Sequence, residues 1–197
     1  MATTISGTSG VTFPAGGVGN PAGAVVGTTD TQTLTNKTIQ GGAITTGTAI
    51  AYTSFTTTTY NDWTGIPSWV KRITVMINVL SVSGTSNIQV QLGSGSVDTA
   101  SYNSRAGQPS AIAVSTNGLL MTCQLATGAD TNSGKLVIDL YGSNIWVASG
   151  NVVNVGNSTA FFSAGVKTLS GTLDRVRLTT VNGTDTFDAG SANILYE

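Results

Sequence analysis

Beyond residue 50 apolar and polar residues alternate along most of the chain; before it they hardly alternate at all. In Asn87–Leu92 the alternation is strict: Ile88, Val90 and Leu92 fall on one side of an extended backbone, Asn87, Gln89 and Gln91 on the other. Lys71–Ser83 has Ile73, Val75, Ile77 and Val79 on one face and Met76, Leu80 and Val82 on the other, the pattern of a central strand covered on both sides for part of its length. The turn Gly84-Thr85-Ser86 between these segments predicts an antiparallel hairpin. Further strands are predicted at Thr53–Thr59, Ala111–Val114, Leu119–Leu125, Lys135–Tyr141, Ile145–Ala148, Ala160–Lys167, Leu173–Val181, Asp185–Asp188 and Ala192–Tyr196. Thr116-Asn-Gly118 and Asn182-Gly183 read as hairpin turns, because Asn and Gly tolerate positive φ.

Between these segments, Asn61–Ser68, with Trp63 and Pro67, reads as a turn region, and Thr127–Gly134 as a polar loop. Gly93–Pro109 reads as a long Ser/Gly-rich loop with Tyr102 and Arg105 at its tip. Long loops on a rigid scaffold often carry binding function, so Tyr102 and Arg105 are candidate residues of an exposed binding loop. About eight to ten short strands without a helical period predict an all-β fold. The expected architecture is an antiparallel β-sandwich head, jelly-roll-like, over residues 51–197. A stretch of that size can bury one sufficient core.

Residues 1–50 have a different texture. They contain one aromatic, Phe13, and two charges, Asp30 and Lys37, with Pro14, Pro21 and frequent glycine between. So few apolar groups cannot offset roughly 1–2 kcal/mol of backbone entropy per ordered residue. The segment is expected to be an extended attachment and oligomerisation arm that orders only along a partner. Near its end Thr29, Thr31, Thr33 and Thr35 share one face of an extended chain, and Asp30, Gln32, Leu34 and Asn36 the other. Asp30, Leu34, Asn36 and Ile39 are the candidate oligomerisation and attachment residues, since so sparse an apolar face is buried only where several copies meet. Residues 41–50 continue the linker.

Composition narrows the chemistry. Of 197 residues, 40% are hydrophobic and only 9% charged, against about a quarter charged in ordinary soluble domains. A net charge of −1 provides no drive toward nucleic acid or an anionic membrane. No export signal is expected at Met1–Ser6, which lacks a basic stretch and an apolar stretch, and no apolar run approaches the roughly 18 residues of a membrane span. The chain has no histidine, which removes Ser-His-Asp and Cys-His catalysis and imidazole zinc sites. Its single cysteine, Cys123, lies in apolar Leu119–Leu125 and is expected to be a buried, inert thiol.

The remaining candidates are weak. Polysaccharide cleavage needs two carboxyls at a set spacing; Asp130, Asp139, Asp185 and Asp188 are available, but turn aspartates of this kind usually satisfy local backbone donors. A calcium site from loop aspartates lacks EF-hand spacing. Gly17-Val-Gly-Asn-Pro-Ala22 matches a loose dinucleotide fingerprint without the flanking strand and helix that would give it meaning. Lys71-Arg72 and Arg175/Arg177 read as a solvated face or structural ion pairs, and Trp63, Trp69 and Trp146 as core or interface anchors ahead of sugar platforms. Sequons at Asn36, Asn157 and Asn182 are chance matches in a Thr/Asn-rich chain. No catalytic residue, cofactor or metal is expected.

Asp30-Thr-Gln-Thr-Leu-Thr-Asn-Lys-Thr-Ile39 resembles a D-T-Q-T-L-T-N-K-T-[IL] segment that recurs in fibre and tail proteins of tailed bacteriophages, between a virion-attaching N-terminus and a distal domain. Gly65-Ile-Pro-Ser-Trp-Val-Lys-Arg-Ile73 and Phe187-Asp-Ala-Gly-Ser-Ala-Asn-Ile-Leu-Tyr-Glu197 are similar to such proteins as well. The resemblance implies a non-enzymatic virion structural protein, assembled in the host cytoplasm. It would be a homotrimer whose arm binds other virion proteins and whose head meets a host surface glycan or protein. The motif does not separate a receptor-binding tail fibre from a capsid decoration or head-fibre protein, and both readings stand.

Overall fold

The computed structural model describes residues 53–128 and 130–197, together with the strand backbones of Ile5–Ser6, Gly10–Val11 and Thr48–Ala49. The chain divides into two units, Met1–Ile44 and Thr45–Glu197. In the first, β1 (Ile5–Ser6) pairs antiparallel with β2 (Gly10–Val11). The candidate residues Asp30, Leu34, Asn36 and Ile39 lie outside the described residues, as does the rest of the expected arm up to residue 47.

The second unit is all-β, with no helix among the described residues. Its strands are β3 (Thr48–Ala49), β4 (Thr53–Ser54), β5 (Tyr60–Thr64), β6 (Arg72–Val82), β7 (Ile88–Ser94), β8 (Ser96–Val97) and β9 (Tyr102–Gln108). They continue with β10 (Ala111–Ser115), β11 (Leu119–Leu120), β12 (Asn132–Gly142), β13 (Ile145–Asn154), β14 (Thr159–Thr168), β15 (Arg175–Thr180) and β16 (Phe187–Tyr196). They form two antiparallel sheets. The nine-stranded sheet runs β10-β9-β14-β13-β12-β6-β16-β3, with β4 also on β16; the five-stranded sheet runs β11-β7-β15-β5, with β8 on β7.

Both sheets turn their apolar rows onto one core. Ile73, Val75, Leu136, Ile138 and Phe161 come from the larger sheet, and Ile88, Val90, Leu92, Val176 and Leu178 from the smaller; all are buried. β12, β13 and β14 form a meander whose first turn uses Ser143 and Asn144, both at positive φ, the conformation a tight hairpin needs to match strand twist.

Several local expectations are corrected. Lys71–Ser83 and Asn87–Leu92 form no hairpin: β6 pairs with β12 and β16, β7 with β15, β11 and β8. Ala111–Val114 and Leu119–Leu125 part in the same way, β10 joining β9 and only Leu119–Leu120 joining β7. Asn182-Gly183 does reverse the chain, with Gly183 at φ +69°, but it carries β15 of one sheet into β16 of the other. Turn residues fix a reversal; which sheet receives the next strand is settled by packing across the core. Asn61–Ser68 is not all turn, since Trp63 is the inward residue of β5. The expected loop Gly93–Pro109 holds β8 and β9.

Inside β6 the alternation slips. Val79 has φ +51°, and the pairing shifts register beside it against both β12 and β16. This is a β-bulge. Ile73, Val75 and Ile77 before it face the core, and Leu80 and Val82 after it do too, while Val79 itself is exposed and its N–H donates to Ser133 Oγ at 2.8 Å.

Candidate functional site

On the small sheet the outward residues of three adjacent strands align into two polar rungs. Gln89 and Gln91 alternate with Ile88, Val90 and Leu92 on β7; Arg177 and Thr179 alternate with Val176 and Leu178 on β15; Tyr60 and Asp62 flank Asn61 on β5. Register places Arg177 opposite both Asp62 and Gln91, and Thr179 opposite both Tyr60 and Gln89. The rungs are therefore Asp62-Arg177-Gln91 and Tyr60-Thr179-Gln89, neighbours on one face across the strands.

All of these except Asp62 line a groove of about 440 Å³, together with Thr99, Asn117, Asn182 and Gly183. This lies within the roughly 300–1,000 Å³ of small-ligand sites. Arg177 Nε and Nη2 donate to Asp62 Oδ1 and Oδ2, each at 2.7 Å, and its guanidinium carbon sits 4.0 Å from the centroid of the Tyr60 ring. Asp62 raises the Arg177 pKa above its already high value, chiefly through these hydrogen bonds. The carboxylate cancels the charge, so the groove is polar without a net field.

The floor is fixed by bonds that leave it incompletely saturated. Gln91 Nε2 donates to the Asn117 carbonyl at 2.8 Å, Ser115 Oγ donates to Gln89 Oε1 at 3.2 Å, and Thr179 Oγ1 donates to the Thr59 carbonyl at 3.0 Å. Gln89 and Gln91 are buried beneath the groove, whereas Tyr60 is 47% exposed at its rim.

The sequence-predicted site residues do not gather there. Tyr102 is buried, not at a loop tip. Its hydroxyl accepts from the Leu92 N–H at 2.7 Å and reaches the Asp98 carbonyl at 3.0 Å, and burial pushes its pKa up. The reason is the alternation in β9: Tyr102, Ser104 and Ala106 face in, Asn103 and Arg105 out. Arg105 is exposed, donating to Asn103 Oδ1 at 2.7 Å. It borders a separate apolar hollow of about 270 Å³ in which the Phe162 ring rests on Gly107 beside Ile112.

The aspartates weighed as acid or metal groups are each occupied locally. Asp139 accepts from Arg72 Nε at 2.6 Å, Asp185 accepts from the Ser86 N–H at 3.0 Å and Asn182 Nδ2 at 2.7 Å, and Asp188 accepts from Ser81 Oγ. Asp130 accepts from the N–H groups of Ala126 and Thr127. Arg175 pairs with Asp174 at 2.8 Å. Trp63 and Trp146 are buried; Trp69 is half-exposed, its ring 6.0 Å from that of Tyr196. Cys123 is buried, which raises its thiol pKa.

The polar rungs themselves were missed as a site. The outward placement of Gln89, Gln91, Arg175 and Arg177 is legible from alternation, but nothing local says that β5, β7 and β15 are neighbours. No protein-family model, curated protein or solved structure matches this chain.

Proposed function

We propose that this is a non-enzymatic structural protein of a tailed-phage virion, a homotrimeric fibre-like protein anchored by residues 1–50 and displaying its β-sandwich head for attachment to the host. The observation that carries attachment is the groove lined by Arg177, Gln91, Tyr60, Thr179 and Gln89, with Asp62 holding Arg177 from beside it: side chains suited to recognition, held on paired strands. The virion assignment rests on the segment Asp30–Ile39. The head is read further as a jelly roll. The order β5-β15-β7-β11 opposite β6-β12-β9-β10 supports this reading as two Greek keys, with the β13-β14 pair inserted between β12 and β9 and β16 added beside β6. Local occupation of the aspartates supports a head that binds without cleaving.

Trimerisation would multiply a weak contact into avidity. The test is adsorption: purified full-length protein, added before infection, is expected to block phage attachment in a dose-dependent way. Folded full-length protein that leaves adsorption untouched would sink the attachment reading.

Capsid decoration remains the second reading, and one observation favours it. Ile112 and Val114 on edge strand β10 are 69% and 61% exposed, and Phe162 beside them is 57% exposed. An apolar edge strand of this kind is a ready surface for shell proteins. Under that reading, capsids lacking the protein burst more easily and adsorption is unaffected.

A further inference from the structure

We infer that the groove on the small sheet is a binding site for a neutral saccharide. The inference deepens the attachment reading and rests on it for its biological setting. A pyranose presents hydroxyls in adjacent pairs and weakly apolar ring faces. Its natural partners are planar groups that donate and accept side by side, together with an aromatic ring. The groove supplies both kinds.

Arg177 commits Nε and one Nη2 N–H to Asp62, leaving the other donors of its guanidinium fork uncommitted among the described residues. Gln91 spends one Nε2 N–H on the Asn117 carbonyl and keeps its Oε1 uncommitted among the described residues. Tyr60 is held by the Arg177 guanidinium and remains half-exposed.

Electrostatics selects neutral ligands. Arg177 is neutralised by Asp62, and the next outward cation on β15, Arg175, by Asp174. A phosphate or sulfate would find no unpaired charge to repay its desolvation. An acyl chain would find a floor of amides, hydroxyls and a guanidinium, whose hydrogen bonds it could not satisfy. A polyol both fits the volume and satisfies the groups.

The test uses the full chain, ligand-observed NMR and calorimetry. The probes are neutral oligosaccharides of glucose, galactose, mannose and N-acetylglucosamine, with a heparin fragment as the anionic counter-probe. At least one neutral oligosaccharide is expected to bind, and roughly tenfold more salt should leave its affinity within about twofold. Tyr60→Ala and Gln91→Ala should each weaken it about tenfold. Tyr60→Ala is the safer variant because its ring is half-exposed, and an unchanged unfolding midpoint certifies its fold. Phe162→Ser, in the separate apolar hollow, should bind as the parent does.

Three results overturn the inference: no neutral probe binds, a folded Tyr60→Ala variant binds with the parent's affinity, or only heparin binds and salt releases it. The same variants separate this inference from the attachment reading. Parent and Tyr60→Ala proteins that block adsorption equally, with no neutral probe bound by either, would remove the saccharide site and leave attachment standing. A parent that binds sugar without blocking adsorption would do the reverse.

Discussion

The ammonium of Lys167 lies 2.9 Å from Asp98 Oδ2, and the two are not equally wet: Lys167 is 4% exposed, the Asp98 side chain 33%. Lys167 Nζ also donates to the Ala100 carbonyl at 2.8 Å and sits 4.7 Å from the centroid of the Tyr102 ring. One buried cation thus ties β14 to the segment between β8 and β9. This asymmetry predicts unequal costs for breaking the pair from its two ends.

Asp98→Ala leaves a buried ammonium with one carbonyl. It should cost about 3 kcal/mol, the low end for a broken buried pair because water already reaches Asp98. Lys167→Met fills the same space with an apolar chain and leaves a carboxylate that can rehydrate, at a cost of about 1 kcal/mol or less. Urea unfolding of the two variants measures both. Equal costs, or a larger cost for Lys167→Met, would show that the burial difference does not govern the pair.

Tyr102→Phe keeps the ring and removes the hydroxyl that accepts from the Leu92 N–H at 2.7 Å. Leu92 is fully buried, so its N–H would be left without a partner. The expected loss is about 1–3 kcal/mol, the penalty for an orphaned buried donor. Faster amide exchange at Leu92 should accompany it, a readout that a general loosening would spread over all of β7.

Val79 and Gly190 face each other across the β6 bulge. Val79 is a β-branched residue at φ +51°, and a Cβ on Gly190, itself at φ +87°, would come 2.3 Å from the Val79 carbonyl oxygen. Val79→Asn should therefore stabilise the fold by about 1 kcal/mol, since Asn tolerates this backbone and the side chain is exposed. Gly190→Ala should destabilise it by more than about 2 kcal/mol, through the close contact and the strained φ together. Thermal unfolding of both variants is the check; a tolerated Gly190→Ala would contradict the bulge geometry.

Acid should weaken the head through Asp130. Burial by itself raises a carboxyl pKa, but here the N–H groups of Thr127 and Ala126 at 3.2 and 3.0 Å donate to the carboxylate, and its pKa lies below the ordinary value. Asn157 Nδ2 donates to it too, at 2.8 Å. A depressed folded pKa contributes stability that is complete above the unfolded value of about 3.9 and is lost as pH falls through the folded one. Asp174, lowered chiefly by its hydrogen bond to Arg175, acts in the same direction but is exposed and screened. The unfolding midpoint should hold from neutral to about pH 5 and fall below about pH 4. Asp130→Asn should flatten that fall; an unchanged acid slope would rule Asp130 out as its source.

Most strands of the head were legible one at a time, although β5 fell largely in an expected turn region and β8 and β9 in an expected loop. Ile88, Val90 and Leu92 announce their inward face by strict alternation, and Arg177 must then sit opposite in sense to Val176 and Leu178. Two kinds of information were not legible. The bulge at Val79 inverts the inward count for the rest of β6, and Val79 is an ordinary strand residue that gives no warning. The fate of each turn was equally hidden: Gly84-Thr85-Ser86 and Asn182-Gly183 look like hairpin turns. In the folded protein they lie against each other, Asn182 N–H donating to Ser86 Oγ at 3.0 Å, and each passes the chain between sheets.

By itself, then, the sequence determined the period of two, and with it an all-β head with apolar rows inward and amide, hydroxyl and guanidinium groups outward. That property is local, because each residue's side is set by its immediate neighbours along the backbone. Tertiary structure decided which outward rows stand side by side. Tyr60, Gln89 and Arg177 belong to segments far apart in the chain and meet only because β5, β15 and β7 must pair in that order to close one face of the shared core. Strand adjacency is a non-local outcome of burying every apolar row at once, and the groove exists only as its consequence.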